Sequence, residues 1–228
     1  MKKLYLILSL CLIMFTEISF SQEEQIIPSD KTIFDVNYYF GFGIIYSDAL
    51  NINPFLSESN VPTVRRFPFE FSFGLVGDFG KNRIDLDFGF YNQERERDNF
   101  EHQLTSGTLS LRYLRNVVQF ENEDRFYAGL AINYMTSELE FFDKNETIDL
   151  NEPGSFGDVA KLDLYQFHIG PSIGYSIFTS DDHEEFVRFQ LSYDINIFTN
   201  NWDSDYARLS NSIEETGNRF RFQVIFPF

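Results

Sequence analysis

Cysteine is almost missing from this chain: of 228 residues only Cys11 is one, and it stands inside the first apolar run. If that run leaves as a leader, no disulfide can staple the remainder, whatever the redox state of its compartment. Basic residues are scarce too. Lysine and arginine number 18 against 35 aspartates and glutamates, a formal net charge of -17, and so acidic a surface repels nucleic acid phosphates. Beyond the first run no stretch approaches the roughly 20 apolar residues of a membrane-spanning helix, so membrane residence would require strands closed into a barrel. Histidine is limited to His102, His168 and His183, on separate elements without ligand-like spacing. They offer neither a metal set nor a nucleophile–base pair, and no cofactor is expected.

Aromatics, by contrast, are abundant: 28 Phe and 12 Tyr in a chain whose mean hydropathy is only -0.25. Continuous apolar blocks would raise that mean, so the aromatics must be diluted by alternation. The exception is residues 1–21, where Lys2 and Lys3 precede an apolar run that ends in Ser19 and Ser21 before Gln22. This is the anatomy of a secretory signal cleaved after Ser21. Residues 22–32 are polar, contain Pro28 and read as a periplasmic tether; residues 33–228 form the domain.

Within that domain the period is two. Phe34, Val36, Tyr38, Phe40, Phe42 and Ile44 share one face of a first strand, with Asn37, Gly41 and Gly43 on the other. Phe67 to Phe79 repeats the pattern, and a Gly80-Lys81-Asn82 turn leads into a third strand carrying Ile84, Leu86, Phe88 and Phe90. A charged connection is expected over 92–101. The fourth strand is clear from Leu109 to Val117 and slips register near Ser106 and Gly107, which predicts a bulge there. Strands five (Phe126 to Tyr134), six (Tyr165 to Ile177) and seven (Val187 to Ile197) follow; Pro171 inside the sixth predicts a second bulge. Residues 142–160 and 199–218 read as loops. The last ten residues, RFRFQVIFPF, place Phe220, Phe222, Val224, Phe226 and Phe228 on one side of an eighth strand. Long and short connections alternate, the layout of an eight-stranded antiparallel up-and-down transmembrane β-barrel with short turns and termini in the periplasm.

Volume decides which face looks outward. The apolar faces hold several times as many large side chains as the about 12 that a small eight-stranded barrel packs inside, so they must face lipid. The opposite face is rich in Gly and small polar residues and carries charges of both signs: Glu70, Asp85, Asp87, Arg112, Arg188, Asp194 and Arg221. Buried charges must be paired. Strand order predicts Asp85 or Asp87 against Arg112, and Asp194 against Arg221, as a structural cluster that fills a narrow lumen. A conduction path is the alternative, for which eight strands leave little room.

A strand this lopsided that stops on Phe228 resembles the closing strand of bacterial outer-membrane barrels, whose terminal aromatic is an assembly signal; the resemblance implies recognition by the barrel-assembly machinery. LRYLRNVVQF (111–120), RFYAGLAINYM (125–135) and GPSIGYSIF (170–178) resemble the Bacteroidetes-type outer-membrane β-barrel domain family, which includes PorT-like proteins. That resemblance implies outer-membrane location and a barrel fold, with few defined activities.

Three readings of function follow. The favoured one is a structural or interaction protein whose acidic loops meet lipopolysaccharide or a protein partner. The second is a lipid-modifying enzyme resembling the lipid A deacylases, which keep a His and a Ser two residues apart near the rim. Here His168 points inward and Ser172 lies four residues on, so the match fails. The third is a small-solute channel. Residues 143–154 carry oxygen side chains at the alternate spacing of a calcium loop, but Ile148 stands where Gly is needed and Gly154 where Glu is needed, so a solvated acidic loop is expected.

Overall fold

The computed structural model describes residues 35–144, 160–179, 184–198, 200–205 and 208–228. The leader, the tether, Ile33 and Phe34, most of the calcium-like spacing, His183 and Tyr206 lie outside them. Eight long strands are present: β1 (Asp35–Ser47), β2 (Phe69–Phe79), β3 (Asn82–Arg97), β4 (Phe100–Gln119), β5 (Arg125–Asp143), β6 (Ala160–Phe178), β7 (Glu185–Phe198) and β10 (Arg219–Pro227). Between them come one short helix, α1 (Ile52–Glu58), and a two-residue hairpin, β8 (Asn200–Asn201) with β9 (Glu214–Glu215). The long strands pair antiparallel into a closed barrel in the order β1-β10-β7-β6-β5-β4-β3-β2.

Alternation builds the wall. Phe40, Phe42, Phe71, Phe73, Phe88, Leu111, Ile132, Phe189 and Phe222 are exposed on its outside, while Gly41, Gly43, Ser72, Ser110, Ser172 and Gln190 turn inward. Rings on neighbouring strands stack across the outer surface: Phe40 on Phe226 at 5.2 Å and Phe73 on Phe88 at 5.5 Å between centroids. Such a continuous apolar belt is stable only against hydrocarbon. Closure comes from β1 and β10, paired from Tyr39↔Pro227 to Ser47↔Arg219. Beyond that ladder the Phe228 amide donates to the Tyr38 carbonyl at 2.9 Å. At Gly43 a Cβ would lie 2.0 Å from the Phe222 carbonyl oxygen, so the seam admits no side chain there.

The wall is uneven. β4, β5 and β6 run for 20, 19 and 19 residues, whereas β2 and β10 run for 11 and 9. Beyond the belt, β3 to β6 therefore continue as a sheet, and its polarity is reversed. Tyr91, Leu104, Leu139 and Leu164 are buried on the inner face, while Asn92, Glu94 and Thr105 are exposed on the outer one. Water replaces lipid outside, so charges that the belt forbids become favourable there and apolar groups move in.

That reversal explains two departures from the expected strands. Residues 92–101 are not a charged loop but a hairpin, paired from Asn92↔Thr105 to Arg97↔Phe100 around a two-residue turn in which Asp98 takes φ 54°. Nor is there a bulge at Ser106 and Gly107, through which both ladders of β4 pass without a break. Leu104 keeps the inward parity of Ser110 and Arg112; the environment changes at its height, not the register. The β4–β5 ladder shifts instead between Asn116 and Val118, at the opposite end. No bulge forms at Pro171 either: β5 pairs straight through it, and the β6–β7 ladder stops at Ile169 and resumes at Ser172 in the same register. The shifts in that ladder lie at Phe167/His168 and Ile177/Phe178.

At the turn end, Asp124 closes the β4–β5 connection. Its carboxylate accepts hydrogen bonds from the Tyr175 hydroxyl (2.7 Å), the Asn122 amide (2.8 Å) and the Phe178 backbone N–H (3.1 Å). The Tyr175 hydroxyl foremost, then the Phe178 and Asn122 donors, hold this carboxyl below the usual carboxylate range. A depressed carboxyl stabilises the fold above its unfolded value, about pH 3.9, and that contribution is lost as the pH falls through the folded value. Asp124→Asn should therefore lower the unfolding free energy at pH 7 by about 1 kcal/mol and flatten the wild-type loss of stability below about pH 4; denaturant unfolding followed by tryptophan fluorescence at both pH values checks it.

Candidate functional site: the charged lumen and the loop-end cap

Two places concentrate polar chemistry away from the belt. The first is the lumen. Arg221 on β10 donates to Glu70 on β2 and to Asp87 on β3, each at 2.6 Å. Asp87 also meets Arg112 on β4 at 3.3 Å; Arg112 reaches Asp85 at 3.5 Å, and Asp85 reaches Arg188 on β7 at 3.4 Å. Arg188 then faces Glu185 at 3.8 Å, Glu185 pairs with Arg83 at 2.9 Å, and Arg83 with Asp78 at 2.7 Å. Acid and base alternate without interruption from mid-barrel to the turn end. Neutral groups tie the rungs together: the Tyr39 hydroxyl donates to Asp87 at 3.1 Å, and the Gln223 side chain accepts from Arg112 at 2.7 Å and donates to Ser72 at 3.0 Å.

The arrangement depends on glycine in the wall. A Cβ on Gly89 would lie 2.3 Å from the Glu70 Oε1 and 2.7 Å from an Arg221 nitrogen, so the bare backbone leaves the volume those two side chains occupy. Gly74 does the same for the Tyr39 hydroxyl. Arg83 also lies over the Tyr127 ring at 4.4 Å.

Of the seven charged residues expected inside, six belong to this one ladder: Glu70, Asp85, Asp87, Arg112, Arg188 and Arg221. Asp194 does not. It stands opposite Arg219, not Arg221, in the β7–β10 register, and Arg221 turns instead toward Glu70 and Asp87. The expected Asp194–Arg221 pair is thus replaced by a cross-lumen one, because lumen side chains reach across the barrel as readily as along its wall. Asp78, Arg83, Glu185, Tyr39 and Gln223 were not anticipated; Arg83 and Asp78 flank the Gly80 turn, where charge reads as an ordinary exposed hairpin end. Of the histidines, His102 and His168 are buried on different strands. His168 Nδ1 faces the Arg219 guanidinium at 3.2 Å, while the Ser172 hydroxyl accepts from Gln190 at 2.7 Å.

The second place is a cap over the loop end. α1, in the β1–β2 connection, lays Ile52 and Leu56 against Tyr91, Leu104, Leu139 and Leu164, and Trp202 from the β7–β10 connection completes the cluster. Glu215 fastens both connections: its carboxylate accepts from the Asn51 and Ile52 amides at 2.7 and 2.8 Å and from the Trp202 indole at 3.1 Å. Those amides open α1, where unpaired donors need an acceptor. Asn53 closes the first connection on itself, exchanging two bonds with the Val64 backbone at 3.0 and 2.8 Å. Between cap and lumen remains a cavity of about 30 Å³. Lys144, at the end of β5, meets Glu96 at 2.5 Å and Glu101 at 2.8 Å, and these two acceptors, Glu101 foremost, hold its ammonium above the usual lysine range. The described residues contain no group of three or more His, Cys, Asp or Glu placed to hold a metal ion.

No family model matches the chain, and no curated protein matches it in sequence. Its fold is similar to those of several solved bacterial membrane proteins. A major outer membrane protein from Thermus thermophilus aligns over 85% of this chain and 99% of its own, at 12% identity and a TM-score of 0.50. Ail, the attachment invasion locus protein of Yersinia pestis, solved with the heparin analogue sucrose octasulfate, aligns over 86% and 99%, at 7% identity and a TM-score of 0.46. Neisserial surface protein A aligns over 86% and 97%, at 12% identity and a TM-score of 0.42. At such identities the likeness is one of fold, and the fold is that of the small eight-stranded outer-membrane β-barrels.

Proposed function

We propose that this protein is a bacterial outer-membrane barrel with a plugged lumen, whose task is carried by the cap and acidic loops outside the cell. The reversal of side-chain polarity beyond the belt is the observation that carries this reading. One end of the barrel is built to stand in water with its own apolar core, while the other ends in short turns and the two strand termini. With that end in the periplasm, Phe228 is presented to the barrel-assembly machinery during insertion, and the loop end meets lipopolysaccharide and any protein partner. The three segments quoted above support a place among the Bacteroidetes-type, PorT-like barrels.

A lumen crossed by alternating charges favours a strut over a pore. Arg221 and Arg83 each pair with carboxylates on two other strands, and Arg112 and Arg188 each with Asp85 on β3, which braces the wall and fills the bore. An enzyme of the lipid A type finds no support in a His168 turned toward Arg219 and a Ser172 engaged by Gln190.

Planar bilayer recordings of the refolded protein should give no sustained conductance steps; steady channel openings would contradict the plug. Arg221→Met, which strands Glu70 and leaves Asp87 to Arg112 alone among cations, should cost about 3–5 kcal/mol in unfolding free energy, whereas a lumen that merely holds water would tolerate it. Topology is read on intact cells with a membrane-impermeant maleimide. Ser59→Cys should be labelled directly and Asn122→Cys only after permeabilisation, the reverse result placing the cap in the periplasm. In the Ser59→Cys background, Phe228→Ala should reduce the labelled amount several-fold.

A further inference from the structure

The outer side of the cap carries a groove of about 530 Å³. Phe55 and Leu56 of α1, Phe100, Phe141 and Leu162 of the extended sheet and Ile213 of the last connection line it. Phe55 is 42% exposed although it stands above the lipid belt, beside water. A phenyl group left uncovered there loses the hydrophobic gain of burial and marks a contact surface.

The charges on the groove are of one sign. Glu58 and Asp143 line it, and among the described lining residues there is no lysine or arginine. The neighbouring ammonium, Lys144, is engaged by Glu96 and Glu101. Glu58 stands in the last turn of α1, which has no basic residue; the free carbonyls of a helix end make that a poor place for a carboxylate. An anionic lipid headgroup would be repelled from such a rim, and an acyl chain would gain nothing from it.

We propose that this groove docks a basic, hydrophobic peptide segment of another protein. A Phe or Leu side chain of the partner inserts between Phe55 and the Phe100, Phe141 and Leu162 wall. A lysine or arginine beside it pairs with Glu58. The apolar insertion supplies the affinity, and the paired charge sets the sign of partner that is accepted. This deepens the reading of the cap as an interaction surface and rests on it.

The test uses the full barrel folded in lipid nanodiscs and two tetrapeptides, Lys-Phe-Leu-Lys and Glu-Phe-Leu-Glu, followed through the methyl resonances of Leu56, Leu162 and Ile213. The basic peptide should shift these signals saturably, and the acidic one should bind at least about fivefold more weakly. Phe55→Ser, at an exposed position that the cap core does not use, should weaken the basic peptide at least about fivefold. Glu58→Lys should abolish or reverse the preference. Failure of both peptides to saturate, equal binding of the two, or an unaltered preference in Glu58→Lys would overturn the proposal. So would binding that appears only when residues 146–158 are replaced by a Gly-Ser linker, since the groove would then belong to that connection. Because the purified barrel has no orientation in this assay, such a failure leaves the cell-surface labelling result standing as a separate test of topology.

Discussion

Every backbone amide in a hydrocarbon phase needs a partner, and in this chain that requirement falls on the nine residue pairs that join β1 to β10. Without them two strand edges lie open to lipid and the other seven ladders cannot compensate. The seam is built for close approach: Gly43 leaves no room for a side chain, Phe40 stacks on Phe226, and the Phe228 amide adds a bond to Tyr38 beyond the ladder. Closure in turn creates a narrow bore. Its inward side chains have no bulk water to solvate them, so Arg221, Arg112, Arg188 and Arg83 must find carboxylates on other strands, and the wall gives up side chains at Gly89 and Gly74 to admit them.

The same strands serve two solvents. Along β4 the outward residues pass from Leu111 and Leu109 to Thr105 and Gln103, while the inward ones pass from Arg112 and Ser110 to Leu104. One backbone register thus supports a polar interior under lipid and an apolar interior under water. The cap follows from this change, because α1 and Trp202 are needed to cover the apolar inner face that the taller wall exposes above the bore. Glu215 holds the two covering connections together at one carboxylate.

How much of this the sequence disclosed depends on which solvent a residue meets. Inside the belt, period-two alternation of Phe and small residues located all eight strands, and the volume of the aromatic face settled which way it points. Above the belt the same rule misled. Leu104 has the parity of the lumen face, so it read as a slipped register, and Asn92 to Glu101 read as a loop because charge on an outer face was equated with the absence of a strand. Lumen partners were legible only where strands are adjacent: Asp85 and Asp87 sit beside Arg112 across the β3–β4 ladder, but Arg221 reaches β2 and β3 across the bore, which no pairwise strand register encodes. α1 was hidden for another reason. Its seven residues, INPFLSE, are helical through the Glu215 carboxylate and the cap core, and carry little helical period of their own.

The most direct test of these two solvents on one register is spin-label accessibility along β4 in lipid vesicles, with single labels at Leu111, Leu109, Thr105 and Gln103 outside and Ser110 and Leu104 inside. Oxygen, which partitions into lipid, should relax the labels at 111 and 109, a water-soluble nickel chelate should relax those at 105 and 103, and neither should reach 110 or 104. High oxygen access at 104, with the chelate excluded from 103 and 105, would mean that the strand slips at Ser106 and Gly107 after all and that the cap has no core beneath it.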